Sequence, residues 1–449
     1  MLTHSPSTNP VRKILLRLVF LLSFFVFVFA IILILASSPK PSFEKSSDIS
    51  PGQIREIQNL VLNALTSSTS SSDIHTIRLD SYASNLVLQY LMSIIPATES
   101  SQIQINLGDE QASLDFSAPL VLDFFGLEFP TFFLNIYAII SPNVQKKSPL
   151  EISSVRIGRI PVPNWALQIA LSTAAQTLNA YNLDIKALSK KVKLVRVQPE
   201  AFQISLEWEP NFLETLSAKA QTLFITTQGQ TRLLHYSELI KRLINNLPSE
   251  RRAISINALL VPLASSAYQK SIDGADPILE NRALLSAIAA HVNDSFDLQF
   301  EEPSKNQAVQ QKIEVRLHKR QDLAQHVTSA AAITASFGSP IAEMISSTKE
   351  IYDARFGSGF SFSDLTANTV GIKLASLMTE TPTRALAMQL RLSEVKSELD
   401  YMPFVGSNND GIREEEFIDI YRGRDGKQYL QKISEINDLI DSLALFAEL

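Results

Sequence analysis

The stretch Leu18 to Ala36, LVFLLSFFVFVFAIILILA, constrains this chain more than any other. Its nineteen residues carry no charge, and Ser23 supplies the one hydroxyl. At about 1.5 Å of rise per residue they make a helix of roughly 28 Å, close to the hydrocarbon thickness of a bilayer. The run has no polar face, which argues against a buried core helix. Arg12, Lys13 and Arg17 precede it, whereas Lys40 and Lys45 behind it are offset by Glu44 and Asp48. That basic excess predicts a cytoplasmic N-terminus, with the bulk of the chain outside. A cleaved signal peptide is the rival, since Ala36-Ser37-Ser38 offers small residues for cleavage. Its apolar region usually spans only about 7–15 residues, so a retained anchor is preferred. The expected address is a bacterial inner membrane, single-pass, with a periplasmic body.

Composition narrows the chemistry. The chain has no cysteine, which excludes disulfides, thiolate nucleophiles, cysteine-ligated zinc and a lipoprotein anchor. The net charge of −6 speaks against a nucleic-acid binder, which would present a basic face. Lys186, Lys190, Lys191, Lys193 and Arg196 form the one dense basic run, read as a solvated strand edge or helix end rather than a lipid-headgroup contact. Glycine is scarce, 14 in 449, and no phosphate-binding loop, G-x-S-x-G elbow or H-E-x-x-H helix occurs. No cofactor is expected.

Periodicity divides the rest. Residues 1–17 are the cytoplasmic N-terminus, 18–36 the transmembrane helix and 37–50 a Ser/Pro/Lys linker able to lift a domain off the bilayer. Residues 51–210 read as an α+β domain. A helix begins at Asp80 or Ser81, both suitable N-caps, and carries Ala83, Leu86, Val87, Tyr90, Leu91, Ile94 and Ile95 on one face. Ile103, Ile105 and Leu107 then alternate with polar residues, Leu120 to Ile140 is richly apolar, and Phe202, Ile204, Leu206 and Trp208 alternate again. These predict an antiparallel sheet gripped by helices. Residues 211–300 return to a helical period, with Asp276-Pro277 as an N-cap pair. Residues 311–385 form a second helical region, opened by a short strand at Ile313, Val315 and Leu317. Residues 386–449 form a helical tail whose Tyr429, Ile433, Ile436, Ile440 and Leu443 seam packs back on the protein. The expected fold class is therefore α+β with an N-terminal transmembrane helix, an antiparallel sheet and a mostly helical C-terminal half.

The N-terminal anchor, the helix before the sheet and the segment Ser154 to Pro163, SVRIGRIPVP, resemble the YpmS-like envelope proteins of unknown function. A long helix gripping a curved sheet can hold a lipid or other apolar molecule; the plainer expectation is that the aromatic strands fill their own core. The block DPILENRALLSAIAAHVND and the tail segment from Phe417 to Ile436 are similar to uncharacterised proteobacterial membrane-anchored proteins. Neither resemblance implies a catalytic residue.

One polar constellation departs from plain packing. Asp322 and His326 are four apart on an alanine-rich helix. A second helix starting at Ser339-Pro340 carries Glu350 and Asp353 near its end. Ser361 or Ser363 caps a third, which places Asp364, Asn368 and Gly371 on one face. The spacing of Lys349, Glu350, Asp353, Arg355, Gly357, Ser358, Gly359, Ser361 and Asp364 resembles the YfiM-type envelope lipoproteins. Asp322 and His326 match the start of that pattern, except that Leu323 and Val327 replace its lysine and phenylalanine. The activity of that family is undefined. Physically, the cluster suits acid–base chemistry at His326, Asp364 and Asp322, or a divalent metal held by His326 with Asp322, Glu350 or Asp364. The competing expectation is a structural polar network of Asp353, Arg355 and Asn368, with Arg355 paired to Asp353 or Glu350. The sequence thus predicts a non-enzymatic envelope module that binds an apolar ligand or docks an envelope protein, with a hydrolase at residues 322–371 as the alternative.

Overall fold

The computed structural model describes residues 10–43, 49–50, 52–54, 56–57, 59–60, 74–94, 100–120, 123–124, 127–128, 131–142, 150–180, 191–207, 227–293, 313–404 and 410–447. The protein is α+β, with an antiparallel sheet followed by a mostly helical C-terminal half, as its periodicities require. It divides into two compact units. One comprises Met1–Ser50, Arg78–Ala174 and Leu194–Ile204; the other comprises Pro51–Ile77, Ala175–Lys193 and Ser205–Leu449.

The first unit begins with α1, Pro10–Ala36, in which Pro10 takes the first helical position that proline tolerates. Among the described residues no helix is long and apolar enough to cross a membrane.

The chain behind α1 departs from the expected linker. Ser37–Ser38 is a strand, β1, that pairs antiparallel with Phe133 and Leu134. The other elements follow as β2 (Ile74–Leu79), α2 (Ser81–Ile94), β3 (Gln102–Leu107), β4 (Ala112–Leu120), β5 (Asp123–Phe124), β6 (Leu127–Glu128), β7 (Phe132–Pro142), β8 (Leu150–Ile157), β9 (Ile160–Pro161), α3 (Asn164–Ala180), β10 (Val192–Gln198) and β11 (Ala201–Glu207). The main sheet runs β3-β4-β7-β8-β9, all antiparallel. β8 covers one edge of β7 as far as Ile136, and β1 takes the same edge further along, at Leu134 and Phe133. β10, β11 and β2 form a three-stranded sheet in that order.

Asp80 caps α2, its carboxylate accepting from the Ala83 N–H at 2.7 Å. Asn85 on α2 binds both the N–H and the C=O of Ile105, at 2.8 Å each, as a neighbouring strand would. The segment Leu150–Pro161 is a hairpin, because Gly158 turns the chain with φ +55°. The cavity described in this unit is about 480 Å³ and is lined mainly by polar side chains, among them Ser81, Asn85, Gln89, Gln104 and Asn106. It is not the long apolar groove anticipated for a lipid. Of the basic run, Lys186 and Lys190 lie outside the described residues, and Lys193 pairs with Glu207 across β10 and β11 at 2.6 Å.

The second unit continues with α4 (Thr227–Asn245), β12 (Ala253–Ser255), α5 (Asn257–Ile272), α6 (Pro277–Val292), β13 (Glu314–Arg316), α7 (Gln321–Phe337), α8 (Ser339–Phe356), α9 (Phe362–Thr379), α10 (Pro382–Ser393), α11 (Glu414–Tyr421) and α12 (Lys427–Asp441). Asp276 caps α6 as its sequence requires, accepting from the N–H groups of Ile278 and Leu279. β13 lies at the predicted short strand, but it pairs in parallel with β12, for which the helical period gave no signal.

α7 and α9 pack most closely. Ala324, Ala330, Ala331, Ala332 and Ala335 of α7 are buried, and opposite them lies Gly371, whose added Cβ would fall onto the Val327 carbonyl oxygen. Small residues on both faces let the backbones approach. α12 returns its Tyr429, Ile436 and Ile440 to the core, as the seam predicted. Phe360, Phe362, Phe417, Tyr421 and Tyr429 form an aromatic cluster with centroids 4.5–6.2 Å apart, which pins the segment between α8 and α9.

Candidate metal centre

Three helices of the second unit bring His326 (α7), Glu350 (α8) and Asp364 (α9) together. One ligand atom from each lies within 4.8 Å of the others. The α7–α9 contact sets the first and third residues. His326 Nδ1 lies 3.1 Å from Asn368 Oδ1, one turn along α9 from Asp364. His326 Nε2 lies 3.5 Å from Asp364 Oδ2 and 3.2 Å from Lys349 Nζ. An ammonium can only donate, so Nε2 presents its lone pair and Nδ1 carries the proton that Asn368 Oδ1 accepts. One nitrogen is thus fixed by an oxygen acceptor, as in metal-ligating histidines, and the other faces Lys349 and Asp364.

Glu350 is 1% exposed. Its Oε2 accepts from the Ser361 N–H at 3.2 Å, while its Oε1 has no hydrogen-bond partner among the described residues. Asp364 Oδ1 likewise has no hydrogen-bond partner among the described residues; Arg320 Nη2 lies 3.5 Å away. Burial, with the Asp364 charge beside it, pushes the Glu350 carboxyl well above the usual carboxylate range. Burial also raises Asp364, assisted by the charge of Asp322, and raises Asp353. The pocket therefore gathers several carboxyl groups whose ionisation burial opposes.

At its rim the chemistry reverses. Arg320 binds Asp322 at 2.6 Å and Asp410 at 2.9 Å. Burial opposes ionisation of Asp322, but the Arg320 hydrogen bonds and charge outweigh it and hold that carboxyl below its ordinary range. Asp410 is held low in the same sense, because hydrogen bonds from Ser363, Ser361 and Arg320 overcome its burial. Ser361 does two things here: its hydroxyl donates to Asp410 at 2.8 Å and accepts the Asp364 N–H at 3.0 Å, which caps α9.

Of the residues singled out in the sequence, the structure brings His326, Glu350 and Asp364 together, with Asn368 behind the histidine. Asp322 is displaced to the rim by Arg320. Asp353 sits beside the cluster, against Gly357, where a Cβ would meet its carboxylate. Arg355 finds its bidentate partner on α11. Its guanidinium binds both carboxylate oxygens of Glu414 at 2.9 Å, because α11 supplies a bidentate acceptor on its outer side. Arg320, Asp410 and Glu414 were not anticipated, and Lys349 was noted only as part of a pattern. The Arg320-x-Asp322 spacing at the start of α7 was the one local signal among them.

No protein-family model matches this chain, and no curated protein or solved structure matches it either. The resemblances to YpmS-like and YfiM-type proteins accordingly rest on the residues quoted for them.

Proposed function

We propose that this is a membrane-anchored envelope protein whose helical unit holds one divalent transition-metal ion through His326, Glu350 and Asp364, in the manner of a metal-assisted hydrolase. The observation that carries the metal site is the convergence of an imidazole nitrogen with the buried Glu350 and the half-buried Asp364, each with an oxygen that no donor satisfies among the described residues. Unpartnered buried polar atoms are costly, and a cation is the group that would satisfy both at once. One imidazole and two carboxylates suit Mn²⁺, Fe²⁺ or Zn²⁺. An ion held by these three side chains would leave room for a water and would supply the charge that makes such a water acidic enough to attack an ester or amide. Lys349, which places its ammonium against His326 Nε2, is the internal cation that a bound metal would replace.

The anchor is supported by the unbroken apolar run at Leu18–Ala36 and by the outward-facing Phe20, Phe24, Phe25, Phe27 and Ile34 of α1. The flanking charges support a periplasmic body.

Equilibrium dialysis of the full-length protein against Mn²⁺ or Zn²⁺, read by atomic emission, tests the metal site. Wild type is expected to retain one ion per chain. His326→Ala and Asp364→Asn should bind more than about 100-fold more weakly, since even outer-shell changes cost about 10–100-fold. Wild type retaining no more metal than the variants would leave the cluster as a buried ionic clasp.

A further inference from the structure

The hairpin that closes the main sheet is fastened to the end of α1. The Arg159 N–H donates to the Leu35 carbonyl at 2.8 Å, and the Gly158 N–H donates to the Asn135 carbonyl at 2.7 Å. A side chain at Gly158 would fall onto the carbonyl oxygens of Leu35 and Ala36. That glycine therefore allows the close approach as well as the turn. Asn135 also donates from its side chain to the Lys40 carbonyl at 3.1 Å and accepts from Ser117 at 2.7 Å. The helix end, β1 and the β8–β9 hairpin are held together through main-chain contacts.

α3 starts three residues after β9. Its entry is fixed by bonds from the Val162 N–H to Val155 and from the Leu167 N–H to Pro163. The six steps from Arg159, which bonds to Leu35, to Trp165 reach at most about 20 Å, so the first turn of α3 lies within that distance of the end of α1. Its sequence, NWALQIALSTAAQTLNA, contains no ionisable side chain. Leu167 is buried, whereas Trp165 and Ile169, on the opposite face at i and i+4, are 69% and 58% exposed. An exposed uncharged helix that turns a tryptophan outward is built for the boundary between water and lipid. Arg156 and Arg159, both exposed on the adjoining hairpin, suit anionic headgroups.

We infer that the first turns of α3 lie on the outer face of the membrane that α1 crosses, with Trp165 and Ile169 in the headgroup–acyl boundary. The anchored sheet thereby makes a second contact with the bilayer. This rests on the proposed anchor, and the experiment separates the two.

The full-length chain with Trp208→Phe, in which Trp165 is the sole tryptophan, is reconstituted into phosphatidylethanolamine–phosphatidylglycerol vesicles. Part of the lipid is brominated either near the headgroup or near the chain terminus. A companion chain with Trp165→Phe, Trp208→Phe and Phe27→Trp reports on α1. The expected result is a blue-shifted Trp165 emission quenched by shallow bromines, with the tryptophan at position 27 quenched by deep ones. Trp165 that is quenched by aqueous acrylamide but by neither lipid, beside a deeply quenched position 27, overturns the inference and leaves the anchor standing. Trp165 shielded from lipid and acrylamide alike overturns it in favour of a protein cover. An unquenched position 27 removes the anchor, and this contact with it.

Discussion

Glu280→Ala is expected to lower the stability of the helical unit by about 3–5 kcal/mol, the cost of breaking a buried ion pair from one side. Glu280 is 2% exposed, on α6. One carboxylate oxygen binds Arg232 Nε at 2.9 Å, and the other accepts the Tyr236 hydroxyl at 2.6 Å with Lys270 Nζ at 3.7 Å. Tyr236 is fully buried, and its hydroxyl is pushed far above the usual tyrosine range by burial and by its bond to Glu280. The alanine variant strands a guanidinium, an ammonium and a phenol around a methyl group. At about 2–4 °C per kcal/mol for a unit of this size, a melting shift near 10 °C is expected by calorimetry. Glu280→Gln, which keeps two acceptor contacts but loses the charge, should fall between. A shift under about 2 °C for alanine would mean that water enters and satisfies the three groups, contrary to the burial described.

Gly371→Val is expected to cost about 1–3 kcal/mol through overpacking and to abolish metal retention as well. The new side chain meets the Val327 carbonyl and the Ala330 methyl on α7, and the first of these is main chain that cannot rotate away. Relief requires α9 to move outward, which carries Asp364 and Asn368 away from His326. Position 371 touches no proposed ligand, so a loss of metal there reports on helix spacing alone. The check is calorimetry beside the same dialysis. A destabilised variant that still retains one ion per chain would show that the site tolerates displacement of α9.

What could be read in the sequence was what is encoded locally. Asp276, one of Asp80 and Ser81, and one of Ser361 and Ser363 were legible as helix starts because a cap acts within three residues of itself. The α12 seam and the shared face of Asp364, Asn368 and Gly371 were legible because helical period is a property of a short window. His326, Glu350 and Asp364 were each visible as candidates, but their meeting depends on the spacing of α7, α8 and α9, which Gly371 and the alanines set. Partners far apart along the chain gave no such signal. Arg320 with Asp410, Arg355 with Glu414, and β12 with β13 are joined only by the fold. The linker after α1 was misjudged for a related reason: Ser and Pro composition does not reveal that Ser37 and Ser38 extend a sheet edge left open by β8.

Thermal unfolding of the full-length protein and of Glu350→Gln, each in chelator and in Mn²⁺ or Zn²⁺, tests the metal centre most directly. An ion at about 100 times its dissociation constant should stabilise the wild type by about 2.7 kcal/mol, a rise of roughly 5–10 °C. Glutamine keeps the shape of Glu350 and can still accept the Ser361 N–H, but removes the buried carboxylate. The account predicts no metal-dependent rise in that variant and a melting temperature in chelator at or above that of wild type. A wild type indifferent to metal, or a Glu350→Gln protein that melts lower in chelator, would contradict it and make Glu350 the counter-charge of Lys349 in a structural clasp.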